Sequence, residues 1–410
     1  MRVPWIDLPS HYRWLAIEED RLVLLHETSS RGSPFGYTPV DRQGRADFAS
    51  VRLLYAVARQ AHCFSLEHLR GRPGAKVLAE TALDALNGCF YDDLEGGWFA
   101  SVAADGQVVS TTKEAYGHAF LLLAATSGMQ ASCRGAREMF EKVDTVLDEH
   151  FWREDEGAVV DAFTADWRLL EPSYRGQNAN MHLTEAYLAA FEATGEEKFL
   201  RRAERISDLI VNRNGAAFGW RLPEHFDSSW RVLADYNADR PDDQLRPPGC
   251  LVGHWLEWSR LLIQLSTLNG SQIPWAQDAS VQLFAAAIRD GWDESGNGFI
   301  YSVDLEGKPL VQDRIHWVMA EAVGAAVFLS RATSEESYGQ WYEEFWSFIE
   351  MKVIDRSSGS WWHQLDSGST PVFTVWDGKP DLYHALQATL YARSDPRFGL
   401  VEAARRGLQQ

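Results

Sequence analysis

Apolar residues recur at helical spacing in pairs of segments, and the pairs themselves repeat along the chain. Start and stop residues frame the segments. Twelve helices are expected, at about 10–28, 47–70, 73–88, from 111, 134–150, 178–195, 197–212, 250–266, 275–290, 314–332, from 333, and 381–393. Ser10 reads as the N-cap of the first, and Thr111-Thr112-Lys113-Glu114 as a capping box opening the fourth. Thr333, with Glu336 three residues on, reads as the start of the eleventh. Odd helices are followed by long segments at 29–46, 88–110, 151–177, 213–249, 291–313 and 352–380. Most of the other connections are shorter. Several long segments carry Gly beside an aromatic residue: Gly-Gly-Trp-Phe (96–99), Phe-Gly-Trp-Arg (218–221), Gly-Asn-Gly-Phe-Ile-Tyr (296–301) and Gly-Ser-Trp-Trp-His (359–363). These read as short hairpin-like turns.

Six helix–loop–helix units of about 60–70 residues signal a repeat architecture. An open solenoid needs polar capping repeats at its ends, and here the terminal units are as apolar as the middle ones. The expected fold is therefore all-α: a closed (α/α)6 barrel of twelve helices, with short β-hairpin-like segments in the long loops. It is read as one catalytic domain over 1–410.

Composition narrows the function. Thirty-nine basic against 58 acidic residues leave a net charge of −19, which repels phosphate backbones, so a nucleic-acid partner is not expected. No apolar run reaches the ~20 residues of a membrane span. Met1 to Asp20 lacks a signal-peptide core, so a cytoplasmic location is the default expectation. Cys63, Cys89, Cys133 and Cys250 lie far apart, which disfavours a disulfide framework or a zinc-cysteine site. There is no phosphate-binding glycine motif. The 17 Trp, 13 Tyr and 20 Phe suit a large core and also suit a sugar site, where a C–H face packs on a ring.

Polar residues cluster near the starts of the even helices. Arg52 lies on the second, Tyr116 and His118 on the fourth, and Asn180, His182 and Glu185 on the sixth. The eighth carries His254 and Glu257, the tenth His316, Trp317 and Glu321, and the twelfth Asp381 and His384. From Arg52 through the five histidines the gaps are 66, 64, 72, 62 and 68 residues. In a closed barrel with the even helices inside, these places converge on one end of one cavity. Five histidines at a repeating place argue for a site over five unrelated core residues. His182-x-x-Glu185 and His254-x-x-Glu257 put carboxylate and imidazole on one helix face. That arrangement holds a tautomer and suits a general base at neutral pH. A metal reading of His and Glu stays open but is disfavoured, because the Glu-x-x-His order of di-metal bundles is reversed. Arg52 reads as a cavity cation, or as a structural ion pair. Trp317 and Trp376 read as stacking platforms, or as core. Histidines with paired carboxylates suit proton transfer. Sugar isomerisation through an enediolate fits, as does 2-epimerisation. A glycoside hydrolase would need two free carboxylates flanking the bond, and a binding module needs none of this.

Ala-His-Cys-Phe (61–64), Tyr-Arg-Gly-Gln-Asn-Ala-Asn-Met-His (174–182), Pro-Glu-His-Phe-Asp (223–227), Asp-Tyr-Asn-Ala-Asp (235–239), Gly-His-Trp-Leu-Glu-Trp (253–258) and Gly-Lys-Pro-Asp-Leu-Tyr-His-Ala (378–385) resemble the N-acylglucosamine 2-epimerase superfamily over nearly the whole chain. Within it, they resemble the bacterial D-mannose isomerase branch. The resemblance implies an (α/α)6 barrel and an aldose–ketose isomerase or 2-epimerase that uses no metal and no cofactor. For the isomerase branch it implies interconversion of D-mannose and D-fructose, with D-lyxose and D-xylulose as a further pair. Carried over by motif, His254 and His384 match the acid/base pair, with the proton shuttle assigned to His384 and ring opening to His254. His182 matches a third histidine near the sugar oxygens, Arg52 the basic residue near the reacting carbons, and Glu257 and Glu321 the carboxylates that orient the histidines. Asn180, Tyr116, Trp317, Trp376, Glu185 and Asp381 are the expected substrate contacts. The expected partner is a monosaccharide, and the oligomeric state is left open.

Overall fold

The protein is described by a computed structural model covering residues 3–293, 295 and 298–407. Glu294, Gly296 and Asn297 lie outside the described residues, and with them the first two residues of the glycine-aromatic segment at 296–301. Six inner helices carry the site: α2 (Leu54–Leu69), α4 (Ala115–Gln130), α6 (Gln177–Thr194), α8 (Val252–Leu268), α10 (His316–Thr333) and α12 (Tyr383–Tyr391). Six outer helices alternate with them: α1 (Pro9–Ser30), α3 (Ala75–Asn87), α5 (Ala136–Val146), α7 (Glu197–Ser207), α9 (Ala276–Gly291) and α11 (Glu336–Phe348). The even helices are buried nearly all round, as in Val252–Leu265 of α8. A helix apolar on every face needs neighbours on every face. The outer α7, by contrast, buries only the stripe Phe199, Leu200, Ala203, Ile206 and Ser207. A thirteenth helix that periodicity missed, α13 (Leu400–Arg406), packs on α2, α4, α6 and α12. Seven residues are too short to show a clear period.

The barrel closes through backbone pairing between successive loops. A short strand precedes each of the first five inner helices and pairs antiparallel with the next long loop: Arg52 faces Val102, Lys113 faces Phe163, Arg175 faces Phe226, Cys250 faces Val303 and Arg314 faces Leu365. The sixth link returns to the beginning, where the amide of Lys379 donates to the Val40 carbonyl at 2.8 Å. Gly378 permits that closure: its φ is +73°, and a Cβ there would sit 2.4 Å from the Val40 oxygen.

The same pairing moves two expected helix starts. Lys113 and Glu114 form a strand with Ala162–Phe163, so the capping box does not exist, and Glu114 makes no side-chain cap. Residues 47–53 are turn and strand, so α2 starts at Leu54 instead of 47. Ser10 is not an N-cap either. Pro9 opens α1 with its preset φ, and the flanking residue is Leu8. The hairpin reading holds at Tyr91–Trp98 and Ile354–Trp361, whereas Ala216–Phe218 is a single 3₁₀ turn. Among the described residues, no helix is long and apolar enough to cross a membrane.

Candidate active site

The six inner helices begin around one cavity. Their amide ends face it, so the backbone favours negative charge inside. The second residue of five of the six helices lines this space: Tyr55, Tyr116, Asn178, Trp317 and His384. The exception is Gly253 of α8. A Cβ there would meet the Trp317 ring at 2.3 Å, so glycine lets the indole lie across the end of α8. One turn deeper, the sixth residues Arg59, His182 and Glu257 form the floor, at nearly the same angle on a 3.6-residue helix.

The structure revises the reading of five histidines at one phase. His118, His182, His254, His316 and His384 stand fourth, sixth, third, first and second in their helices. Successive residues turn by about 100°, so they do not share a face. Four reach the cavity, and His118 turns into the core between Trp98 and Phe151.

The two histidines expected as the acid/base pair lie around one indole. The Trp317 ring centre is 5.1 Å from that of His254 and 5.8 Å from that of His384. His384 Nδ1 donates to Glu321 Oε1 at 2.9 Å, as the motif implied. His254 Nδ1 donates to Glu224 Oε2 at 2.9 Å, and not to Glu257. A carboxylate accepts only, so each ring presents its Nδ1–H to the carboxylate and turns Nε2 away from it. Burial lowers the pKa of His384, and the Glu321 contact partly offsets that shift. The ring is therefore neutral at neutral pH.

Glu257 instead sits 3.5 Å from His182 Nδ1, and neither carboxyl oxygen has a hydrogen-bond partner among the described residues. Burial and nearby Glu321 hold its pKa far above the usual carboxylate range, so it is a neutral acid. Burial drops the pKa of His182 to about 3. The i,i+3 pair His182/Glu185 is 3.9 Å apart, and Glu185 accepts from Tyr383 Oη. Beneath the floor, Arg260 contacts Glu321 at 3.3 Å, Glu185 at 3.5 Å and Glu257 at 3.6 Å. Ligand atoms of His182, Glu185 and Glu257 lie within 4.8 Å of one another. The guanidinium already supplies positive charge beside the Glu185 carboxylate, and Glu257 is neutral.

Two expected site residues lie elsewhere. Arg52 donates to the backbone carbonyls of Ser50 and Phe48 and does not line the cavity. It belongs to a structural series at the same strand position as Lys113, Arg175 and Arg314, with Lys379 at the sixth, closing link. Those four pair with Asp92 (2.9 Å), Glu156 (2.7 Å), Asp293 (2.8 Å) and Asp355 (2.5 Å). The cavity cation is Arg59, which donates to Asp381 at 3.0 Å and to Tyr116 Oη at 2.8 Å. Burial works against the Asp381 carboxylate, but Arg59 outweighs it and holds the pKa low. Asn180 is likewise structural, bridging Val159 N at 2.9 Å and the Gly176 carbonyl at 2.9 Å. Asn178 lines the cavity in its stead.

Sequence reading also missed Glu224, Tyr301 and His363. The signal was present in the repeat. The first amides of α2, α4, α6, α8 and α10 bond to the carbonyls of Ala100, Asp161, Glu224, Tyr301 and His363. These five hold one place in successive loops. Of the twelve expected residues, His182, His254, Glu257, His384, Tyr116, Trp317, Trp376 and Asp381 line the cavity, and Glu185 and Glu321 stand behind it.

The family model described as N-acylglucosamine 2-epimerase matches residues 36–388. The D-mannose isomerase of Pseudomonas cannabina pv. alisalensis is 40% identical over 391 residues, 94% of this chain and 93% of the relative. That of Thermobifida fusca is 40% identical over 387 residues, 94% and 95% of the two chains. A crystal structure of D-mannose isomerase superposes with a TM-score of 0.87 at 27% identity, covering 93% of this chain and 97% of the other.

Proposed function

This chain belongs to the N-acylglucosamine 2-epimerase family, and from that premise we propose that it is an aldose–ketose isomerase interconverting D-mannose and D-fructose. D-Lyxose and D-xylulose are a second pair. The reaction is carried by one (α/α)6 catalytic domain. The observation that carries this reading is the pair of carboxylate-anchored imidazoles, His254 and His384, around Trp317.

His254 Nε2 exchanges the proton that opens the sugar ring. His384 Nε2 then takes the C2 proton of the open-chain aldose. The C2–H electron pair forms the C1–C2 double bond, and the carbonyl pair moves to O1. Negative charge on the enediolate faces the Arg59 guanidinium and the amide ends of the inner helices. His384 returns its proton to C1, the O2 proton passes to O1, and C2 becomes the ketone. Neutral Glu257 is a donor to a sugar oxygen. His182, at the same level, contacts the oxygens next to the reacting carbons. One base on one face suffices for this exchange.

A second reading, 2-epimerisation, is favoured by the presence of two imidazoles around one indole, since inversion at C2 needs a base on each face. Product analysis decides. Purified, chelator-treated protein is incubated with D-mannose at neutral pH. Fructose as the first product supports the isomerase. Glucose as the first product replaces it with the epimerase, and no product from mannose or lyxose overturns both.

A further inference from the structure

One group of cavity side chains has no part in the proton transfers described above. His316 opens α10, and His363 and Trp376 come from the long segment before α12, so the latter two stand on the rim. The rings form a chain. His316 and His363 have centres 4.9 Å apart at 81°, His363 stacks on Trp376 at 4.8 Å, and His316 is 6.2 Å from His384. Among the described residues, neither ring nitrogen of His316 has a hydrogen-bond partner, nor does His363 Nδ1 or Trp376 Nε1. His316 is only 5% exposed. Away from this cavity, buried His225 bonds Tyr174 and Pro247, His62 bonds Ser127 and His11 bonds Tyr342, whereas His26 is bare at both nitrogens but stands alone in the core. Buried polar atoms left bare are costly, so four of them on one cavity wall mark a surface completed by a ligand.

The chemistry of the wall narrows what completes it. Burial keeps both imidazoles neutral, with His363 pushed down to about 4 and His316 well below its ordinary value, assisted there by His363 and His384. A neutral imidazole offers one donor and one acceptor, which matches a hydroxyl and does not favour a phosphate. The depth of the wall narrows it further. Arg59, His182 and Glu257 hold the floor, where charge develops on O1 and O2. A sugar with its reacting end there lies past His254 and His384 and ends at the rim.

We propose that His316 and His363, with the Trp376 indole N–H, recognise the terminal hydroxymethyl group of the hexose and so determine specificity for an unphosphorylated six-carbon sugar. This rests on the isomerase reading above.

The test compares two sugars. D-Lyxose is D-mannose without the C6 carbon and its hydroxyl. Steady-state rates are measured on both for wild type, His316→Phe and His363→Phe. Each variant is expected to lower kcat/KM on mannose by about 10–100-fold, mainly through KM, and to change it on lyxose by less than about 3-fold. The acid limb of the pH profile stays where it is, and mannose 6-phosphate is not turned over by wild type. His363→Gln, which keeps a donor and an acceptor, recovers part of the loss, and it replaces any Phe variant that melts early. Equal losses on both sugars overturn the proposal, as does a loss confined to kcat with a displaced pH profile. Wild type inactive on mannose overturns the isomerase reading and this inference together. An active wild type with equal losses overturns only this inference.

Discussion

Glu224 accepts the Nδ1 hydrogen of His254 at 2.9 Å, although 30 residues separate them in the chain. The carboxylate three residues after His254, Glu257, is committed to the His182 side of the cavity. The partner of this imidazole thus comes from a neighbouring loop and not from its own helix. Glu224→Gln keeps the shape and replaces the fixed acceptor with an amide that can turn either way. The expected result is a fall in kcat of at least about 10-fold with KM little changed, because general acid–base catalysis is worth ~10²–10⁴-fold and needs the ring held in one tautomer. Steady-state kinetics on mannose check it, and an unchanged kcat removes Glu224 from the site.

The pKa of His384 lies below its ordinary value, so its neutral, basic form persists into mildly acidic solution. kcat/KM should be flat through neutrality and fall as pH drops through that lowered pKa. Glu321 holds the pKa up against burial. Glu321→Gln should therefore move the acid limb to still lower pH while reducing the plateau. A limb that moves upward contradicts the assignment. His384→Ala should lose at least about 10²-fold in kcat at every pH.

The two arginines separate cleanly. Arg59→Ala removes the guanidinium facing the developing charge and should cost ~10²–10³ in kcat, the range for loss of one oxyanion donor. Arg52→Ala should lower the melting temperature, since Arg52 bonds the turn before α2, with kcat of the folded fraction within about 3-fold of wild type. Paired melting curves and rates check both variants.

Arg260 is buried against the Glu185 and Glu321 carboxylates, with the neutral Glu257 beside them, and removing one partner of a buried ion cluster costs about 3–5 kcal/mol. Arg260→Met should lose stability of that order at pH 7 by denaturant titration. The deficit should shrink toward pH 5, because protonation relieves carboxylates left without a counter-charge. In wild type, Glu321 has a lowered pKa in the fold because Arg260 and His384 outweigh burial. Its contribution is therefore present above the ordinary carboxylate range and is lost as pH falls through the lowered value.

Gly253→Ala puts a methyl carbon where the Trp317 ring lies, 2.3 Å from it in the present geometry. The indole must shift, and both imidazoles pack on it. Overpacking of this kind costs about 1–3 kcal/mol. A folded variant with reduced kcat/KM is expected, checked by circular dichroism together with rates.

The periodicity of apolar residues was enough to read twelve helices, their alternation and their closure, because an inner helix must be apolar all round and an outer one need not be. The same reading reached His182, His254 and His384, whose types and spacing carry chemistry wherever they stand. It did not reach the register within each helix start. Arg52 and Arg59 are seven residues apart, about two turns, and both look like a cation at the mouth. Strand pairing of Arg52 with Val102 decides that one serves the ring of loops and the other the cavity. Nor did it reach Glu224 or His363, whose place is set by hydrogen bonds to the first turn of the next inner helix, far along the chain. Helical period is a local property and is written in local sequence. Which carboxylate holds which imidazole depends on contacts between repeats, and those exist only once the barrel has closed.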